Sequence, residues 1–291
     1  MSSASAAELI LTPSNKVYHL HVDGADIADT ILLVGDPQRA DAIAAKFDSI
    51  SFTARNREFV VITGTYKSKS ISVVGTGIGP DNIDIVLNEL DAAANFDLGA
   101  RTLNATLRKL TLIRLGTCGA LQADLPVGSI VCSAYGLGID GVLNFYAGNN
   151  AVCEDEIAMA FSKFTNWPHR LAFPYCVAAD NDLVKHFGSA CEVGITVTSP
   201  GFYGPQGRTL RLQPELENMS DLFSKFKYQQ QRILNFEMET ATIYGLGKMM
   251  GHRCISLCTV IANRSRNEFA EDYKTHVENL IDYTLNKLIE L

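Results

Sequence analysis

From Cys254 to Ala262 the chain reads CISLCTVIA, a stretch without charge and rich in strand-forming side chains. Such a run is too short to cross a membrane and needs apolar cover on both faces, so it reads as a central strand. The rest of the chain then has to supply neighbouring strands and covering helices. ILLV (Ile31 to Val34), FVVITG (Phe59 to Gly64), ISVVGT (Ile71 to Thr76), TLIRL (Thr111 to Leu115), SIVCSAY (Ser129 to Tyr135) and GITVTS (Gly194 to Ser199) are further strand candidates. Between them, Ala40, Ile43, Ala44 and Phe47 recur near helical spacing. So do Ile83, Val86, Leu87, Leu90 and Ala94 in a helix from about Asp81, with Asp81 or Asn82 as its cap. Ala241 to Met249 reads as a helix, and Val277, Leu280, Ile281, Thr284 and Leu288 mark a terminal amphipathic one. The expectation is a single α/β domain over residues 1–291, a mixed sheet flanked by helices, with residues 1–16 as a flexible N-terminal segment.

With 291 residues and 47% hydrophobic content, the chain is long enough for a large core. Its formal net charge of -7 argues against nucleic acid or an anionic membrane as partner, since both need a basic face. A few arginines in one pocket would still hold a small anion. The seven cysteines are odd in number and sit mostly in apolar runs, so they read as buried free thiols in a reducing compartment. Cys254 and Cys258 lack a second pair at zinc spacing, and no metal is expected there. No positive segment followed by a long apolar one opens the chain, which points to the cytoplasm.

In α/β folds ligands sit beyond the carboxyl ends of strands, so the informative residues should follow the strands. GDPQR (Gly35 to Arg39) joins a strand to a helix; the glycine lets backbone approach an anion, and Arg39 adds charge. A plain strand-to-helix turn is the alternative. GTGIGP (Gly75 to Pro80) has a proline where the third glycine of a dinucleotide fingerprint belongs, so a turn passing close to a ligand or a second subunit fits better. In RLGTCGA (Arg114 to Ala120), Arg114 interrupts an apolar strand and requires a carboxylate or a bound anion, while Thr117 and its glycines offer donors at the strand end. A structural ion pair is the other reading. In FYGPQGR (Phe202 to Arg208), Gln206 offers an acceptor and donors and Arg208 a rigid donor fork. Together they suit the edge of a planar base, with Phe202 on its face. A polar surface loop is the plain alternative. In NFEMET (Asn235 to Thr240), an extended backbone would point Glu237 and Glu239 the same way, towards vicinal sugar hydroxyls, with Met238 against the ring. They would otherwise be acids at a helix N-terminus.

Taken in order, GDPxR, TGIG, RxGTxG, FYxxQxR and EME resemble the uridine phosphorylases, from about Tyr18 to the last helix. The resemblance implies a nucleoside phosphorylase-like fold, no cofactor, inorganic phosphate as co-substrate, and a homo-oligomer, commonly a hexamer built from dimers. It implies that Gly35, Arg39, Arg114 and Thr117 bind phosphate, and that Arg57 reaches phosphate from a neighbouring subunit. His19 matches a histidine lent to the ribose 5′-hydroxyl across the same interface. Glu239 matches the ligand of the ribose hydroxyls, with Met238 lining the sugar and Glu237 nearby. Gln206 and Arg208 match the pair that grips uracil, Phe202 its stacking partner, and Ile261 and Arg264 residues around the base. Purine-cleaving relatives carry an aspartate that protonates purine N7; here Asn263 stands in its place, and an amide cannot act as that acid.

The departures are Cys118 in place of a threonine or serine, Pro205 in the base loop, Pro80 and Asp81 after GTGIG, and a longer segment from Asp91 to Lys109. Some members hold a monovalent cation at the dimer interface. Glu58 and Ile78 match positions that support it, while Asn82 replaces a serine. The implied reaction is direct phosphorolysis of uridine, or of deoxyuridine or thymidine. Arg208, Gln206, Glu239 and Arg114 would carry the chemistry. A nucleosidase, a purine nucleoside phosphorylase or a non-catalytic nucleoside binder on the same fold are the alternatives.

Overall fold

Each strand expected from an apolar run is present in the computed structural model, which describes residues 3–291. The chain divides into two compact units: the described residues up to Ile113 with Met250–Arg253, and Arg114–Met249 with Cys254–Leu291. The division falls inside two strands, Thr111–Ala120 and Arg253–Asn263. Each unit has a mixed sheet with helices packed on it, the α/β class expected.

In the first unit, the strand Thr30–Val34 runs parallel to Lys69–Gly75, with Leu32 opposite Val73. Phe59–Tyr66 and Ser49–Asn56 extend the sheet in antiparallel fashion. Lys67 and Ser68, with φ of 46° and 67°, make the tight hairpin turn that matches strand twist. The helix Pro37–Ala44 buries Ala40, Ile43 and Ala44. The helix Pro80–Asn95 buries Ile83, Val86, Leu87 and Leu90. Neither Asp81 nor Asn82 caps that helix: its N-cap is Gly79, at φ 102°, and Pro80 opens the first turn. Proline fits that position because its missing N–H would be unpaired anyway. Of the N-terminal segment 1–16, residues 1 and 2 lie outside the described residues; Ala4 donates to the Arg101 carbonyl, and Leu11 bridges to Val17.

In the second unit, Glu192–Thr198 lies parallel to both Gln231–Glu237 and Ile130–Gly138. Arg253–Asn263 pairs antiparallel with Ile130–Gly138, Leu257 opposite Cys132. It is the buried central strand anticipated, and Cys254 to Val260 are all buried. One expectation fails here. The strand after Arg114 does not stop at Leu115 but runs to Ala120, because Gly119 and Ala120 find backbone partners in Phe236 and Asn235. Thr117 and its glycines therefore lie within a strand, not in a loop beyond it. Beneath the loops of this unit, Phe161, Phe223, Phe226 and Phe236 pack as an aromatic core, Phe161 edge-on to Phe223 at 4.9 Å. The helix Thr240–Met249 begins three residues after Glu237, and the helix Tyr273–Leu288 closes the chain.

Candidate active site

The second unit holds one buried guanidinium, that of Arg114, only 6% exposed. Glycine two residues on makes its position possible: a Cβ at Gly116 would overlap the Arg114 side chain. Its Nη2 donates to Glu239 and lies 3.1 Å from Glu237, while Nη1 donates to the Cys258 sulfur at 2.9 Å. Burial works against the charge, but Cys258, Glu237 and Glu239 outweigh it and hold the guanidinium well above its ordinary range. Both carboxylates of EME thus converge on one group, although only Glu237 is in the strand; Glu239 sits in the turn before the helix. The two do different work. Glu237 accepts the backbone N–H groups of Glu239 and Thr240 and the Thr198 hydroxyl, the last at 2.6 Å. It is an acid at a helix N-terminus, locked in place. Met238, between them, is half-buried.

The second cluster of charge is built differently. Gln206 is 3% exposed. Its side-chain oxygen accepts from Arg208 Nη1 at 2.6 Å and from Arg264 Nη2 at 3.0 Å. The acceptor expected to read an N–H on a base is therefore occupied by two guanidiniums. The amide nitrogen, in contrast, has no hydrogen-bond partner among the described residues. Arg208 also donates to the Phe202 carbonyl and stacks 3.6 Å from the Phe202 ring centre; Arg264 lies 5.0 Å from the Phe236 ring and donates to Ser220. Among the described residues, neither arginine touches a carboxylate. Burial, followed by repulsion from Arg208, brings Arg264 down to about 10; burial also lowers Arg208. Phe202, half exposed, carries Arg208 on its face. Arg208 and Tyr203 border a cavity of about 930 Å³ with Trp167, Leu171, Leu216 and Met219 among its apolar walls, ample for a small organic ligand.

Ile261 is half-buried on the strand that leads to Arg264. Asn263 is buried and engaged by the protein itself. Its amide donates to the Gln122 and Leu125 carbonyls at 2.9 and 2.7 Å, and its oxygen accepts from Arg266 N. Nothing in an apolar strand marks Cys258 as the side chain that meets an arginine 144 residues away.

In the first unit, Gly35 leads into the helix Pro37–Ala44, but Asp36 caps that helix by accepting from Gln38 N, so one donor of the first turn is taken. Arg39 is half-buried on the same turn. Arg57, exposed at φ 53°, forms the tip of a hairpin, with its guanidinium 5.9 Å from the Tyr18 ring. His19 Nδ1 pairs with Glu89 at 2.6 Å, and Glu89 also accepts the His19 and Leu20 backbone N–H groups. Glu58 and Ile78 are exposed, and the Ile78 carbonyl accepts from the Asn82 amide.

The Phosphorylase superfamily matches residues 29–290. The chain belongs to it. It is a pentosyltransferase of the nucleoside phosphorylase kind. It is 31% identical to a uridine phosphorylase of Thermococcus kodakarensis over 91% of this chain and 84% of that one. It is 28% identical to a guanosine phosphorylase of Halorubrum lacusprofundi over 94% and 98% of the two chains. A nucleoside phosphorylase of Trypanosoma brucei, described as showing uridine phosphorylase activity, shares the fold with a TM-score of 0.89 and 26% identity, over 97% of this chain and all of that one. No helix among the described residues is long and apolar enough to cross a membrane.

Proposed function

We propose that this enzyme is a uridine phosphorylase, which converts uridine and inorganic phosphate reversibly into uracil and ribose 1-phosphate in pyrimidine salvage. One observation carries the reading: Arg208 and Arg264 surround the buried Gln206 with no carboxylate among the described residues to neutralise them. When the glycosidic bond breaks, its electron pair goes to the pyrimidine, and the charge spreads onto the ring carbonyls. Arg208 and the free Gln206 amide nitrogen present only donors, suited to carbonyl oxygens gaining charge. Pre-set donors of this kind, aimed at developing charge, are the largest single source of rate enhancement in many enzymes. A departing purine is helped instead by protonation, and no acid contacts Gln206, Arg208 or Arg264 among the described residues.

On this reading the base lies against Phe202, with Ile261 and Arg264 around it, and Glu239 accepts the ribose hydroxyls beside Met238. Arg114 and Thr117 hold phosphate, and Gly35, Arg39 and Arg57 carry the same assignment. Arg57 and His19 would act from a neighbouring copy, which requires a homo-oligomer. Phosphate attacks the anomeric carbon as the base leaves, with no covalent enzyme intermediate and no cofactor.

The purified enzyme should be given uridine with and without phosphate, and inosine and guanosine in parallel. Phosphate-dependent release of uracil, with no purine base released, is the expected result. Release without phosphate would reveal a nucleosidase, and cleavage of inosine or guanosine would overturn the pyrimidine assignment. Absence of turnover would leave a nucleoside-binding protein.

A further inference from the structure

Cys258 belongs to no motif, yet it completes a closed ring of contacts around Arg114. The Thr240 hydroxyl donates to Ser256 Oγ at 2.8 Å, and Ser256 Oγ lies 3.8 Å from the Cys258 sulfur. Arg114 Nη1 donates to the same sulfur at 2.9 Å, and Nη2 reaches Glu237 at 3.1 Å. Glu237 accepts the Thr240 N–H, which closes the ring. All five residues are buried. The neighbouring Cys118, on the strand of Arg114, and the Arg114 charge hold the Cys258 thiol below its ordinary range against burial. The sulfur thus accepts an arginine N–H, with the Ser256 hydroxyl beside it.

A guanidinium is a planar fork, and two anchored ends fix its plane. With Nη1 on sulfur, only the Nη2 end rests on the carboxylates. Without that sulfur, Nη1 loses the acceptor that holds it, and rotation of both ends onto Glu237 and Glu239 is favoured, because bidentate pairing of arginine with carboxylate is stronger than single contact. An arginine clamped in that way is withdrawn from any other anion.

We infer that Cys258 is a positioning residue for phosphate: its sulfur holds one end of the Arg114 guanidinium and keeps the fork from closing on the two glutamates. The inference rests on the assignment of Arg114 to phosphate made above. The role is specific to an acceptor at this place, so it separates two substitutions of similar size. Cys258→Val fills the space and removes the acceptor; Cys258→Ser keeps an acceptor.

Steady-state kinetics with uridine and phosphate varied independently test it. For Cys258→Val the phosphate KM should rise roughly ten- to hundredfold, the loss of one hydrogen bond to a charged group, with little change in the uridine KM. Cys258→Ser should recover most of that loss. Cys118→Ala, which opens space beside the same sulfur and leaves the Arg114 contact in place, should keep the phosphate KM of the parent. Equal phosphate KM values in the Val and Ser variants, or an equal rise in Cys118→Ala, would overturn the role and reduce Cys258 to packing. Arg114→Ala, run alongside, separates the two layers: an unchanged phosphate KM there would remove the assignment of Arg114 itself. A large rise there with no rise in Cys258→Val would remove only the role of Cys258.

Discussion

Arg114 and the pair Arg208 and Arg264 are all partly or wholly buried arginines of the same unit, and the fold treats them in opposite ways. Arg114 is given two carboxylates, so its charge is cancelled where it stands. Arg208 and Arg264 are given aromatic faces, a shared amide oxygen and backbone carbonyls. Aromatic rings and carbonyls stabilise a cation without cancelling its charge. The positive potential around Gln206 thus stays available for a ligand, whereas the positive charge at Arg114 has to be drawn away from Glu239 before it serves one. A buried arginine in a sequence says that a partner is required; whether the partner is an anion of the protein or of a substrate is decided by what packs around it.

The comparison breaks most visibly in stability. Arg114→Met leaves Glu237 and Glu239 buried without their cation. It should lower the unfolding free energy by about 3–5 kcal/mol in urea denaturation. Arg208→Ala, which removes only aromatic and carbonyl contacts, should cost less than about 1 kcal/mol in the same measurement. Equal losses would mean that the two environments do not differ as described.

In catalysis the order should reverse in meaning. Arg208→Ala should reduce kcat with uridine by on the order of 10²–10³ while the protein stays folded. The deficit should shrink with 5-fluorouridine, whose more electron-poor base needs less help to leave. Near-normal turnover of uridine by this variant would sink the base-site assignment.

A smaller effect is expected at Asn263. An aspartate there would face the carbonyls of Gln122 and Leu125 that the amide now serves. Asn263→Asp should cost about 1–3 kcal/mol of stability and confer no cleavage of inosine. Gain of inosine cleavage would show that this side chain reaches the base.

The smallest effect concerns Asp140, a wall of the Arg208 cavity. Burial pushes its carboxyl above the ordinary range, although Val142 N–H and the Tyr175 hydroxyl donate to it. The sign follows. A raised folded value means stability that is fully present below the unfolded carboxylate value and is lost as pH rises through the folded one. Asp140→Asn should remove that loss and make the unfolding midpoint less sensitive to pH between acid and neutral conditions; an unchanged pH dependence would contradict it.

The strands were legible from their apolar runs because a strand covered on both faces has to be apolar throughout, and the central strand around Cys258 is the clearest case. The family was legible because five short motifs fall in one order. The end of the strand after Arg114 was not legible: glycines are poor strand formers, and only pairing with Asn235 and Phe236 carries the strand to Ala120. The separate duties of Glu237 and Glu239 were not legible either, since two identical side chains two residues apart differ only through Thr198 and the helix start.

By itself, the sequence determined the α/β class, the burial of Arg114 and the membership of the superfamily, because these rest on local hydrophobicity and on short motifs. Only the tertiary structure decided which way Gln206 turns its amide, what the Asn263 side chain is spent on and which sulfur meets Arg114. Those contacts join residues 58, 141 and 144 positions apart. A hydrogen bond or an ion pair depends on distances of a few ångströms, and spacing along the chain does not set such distances until the sheet has brought its strands together.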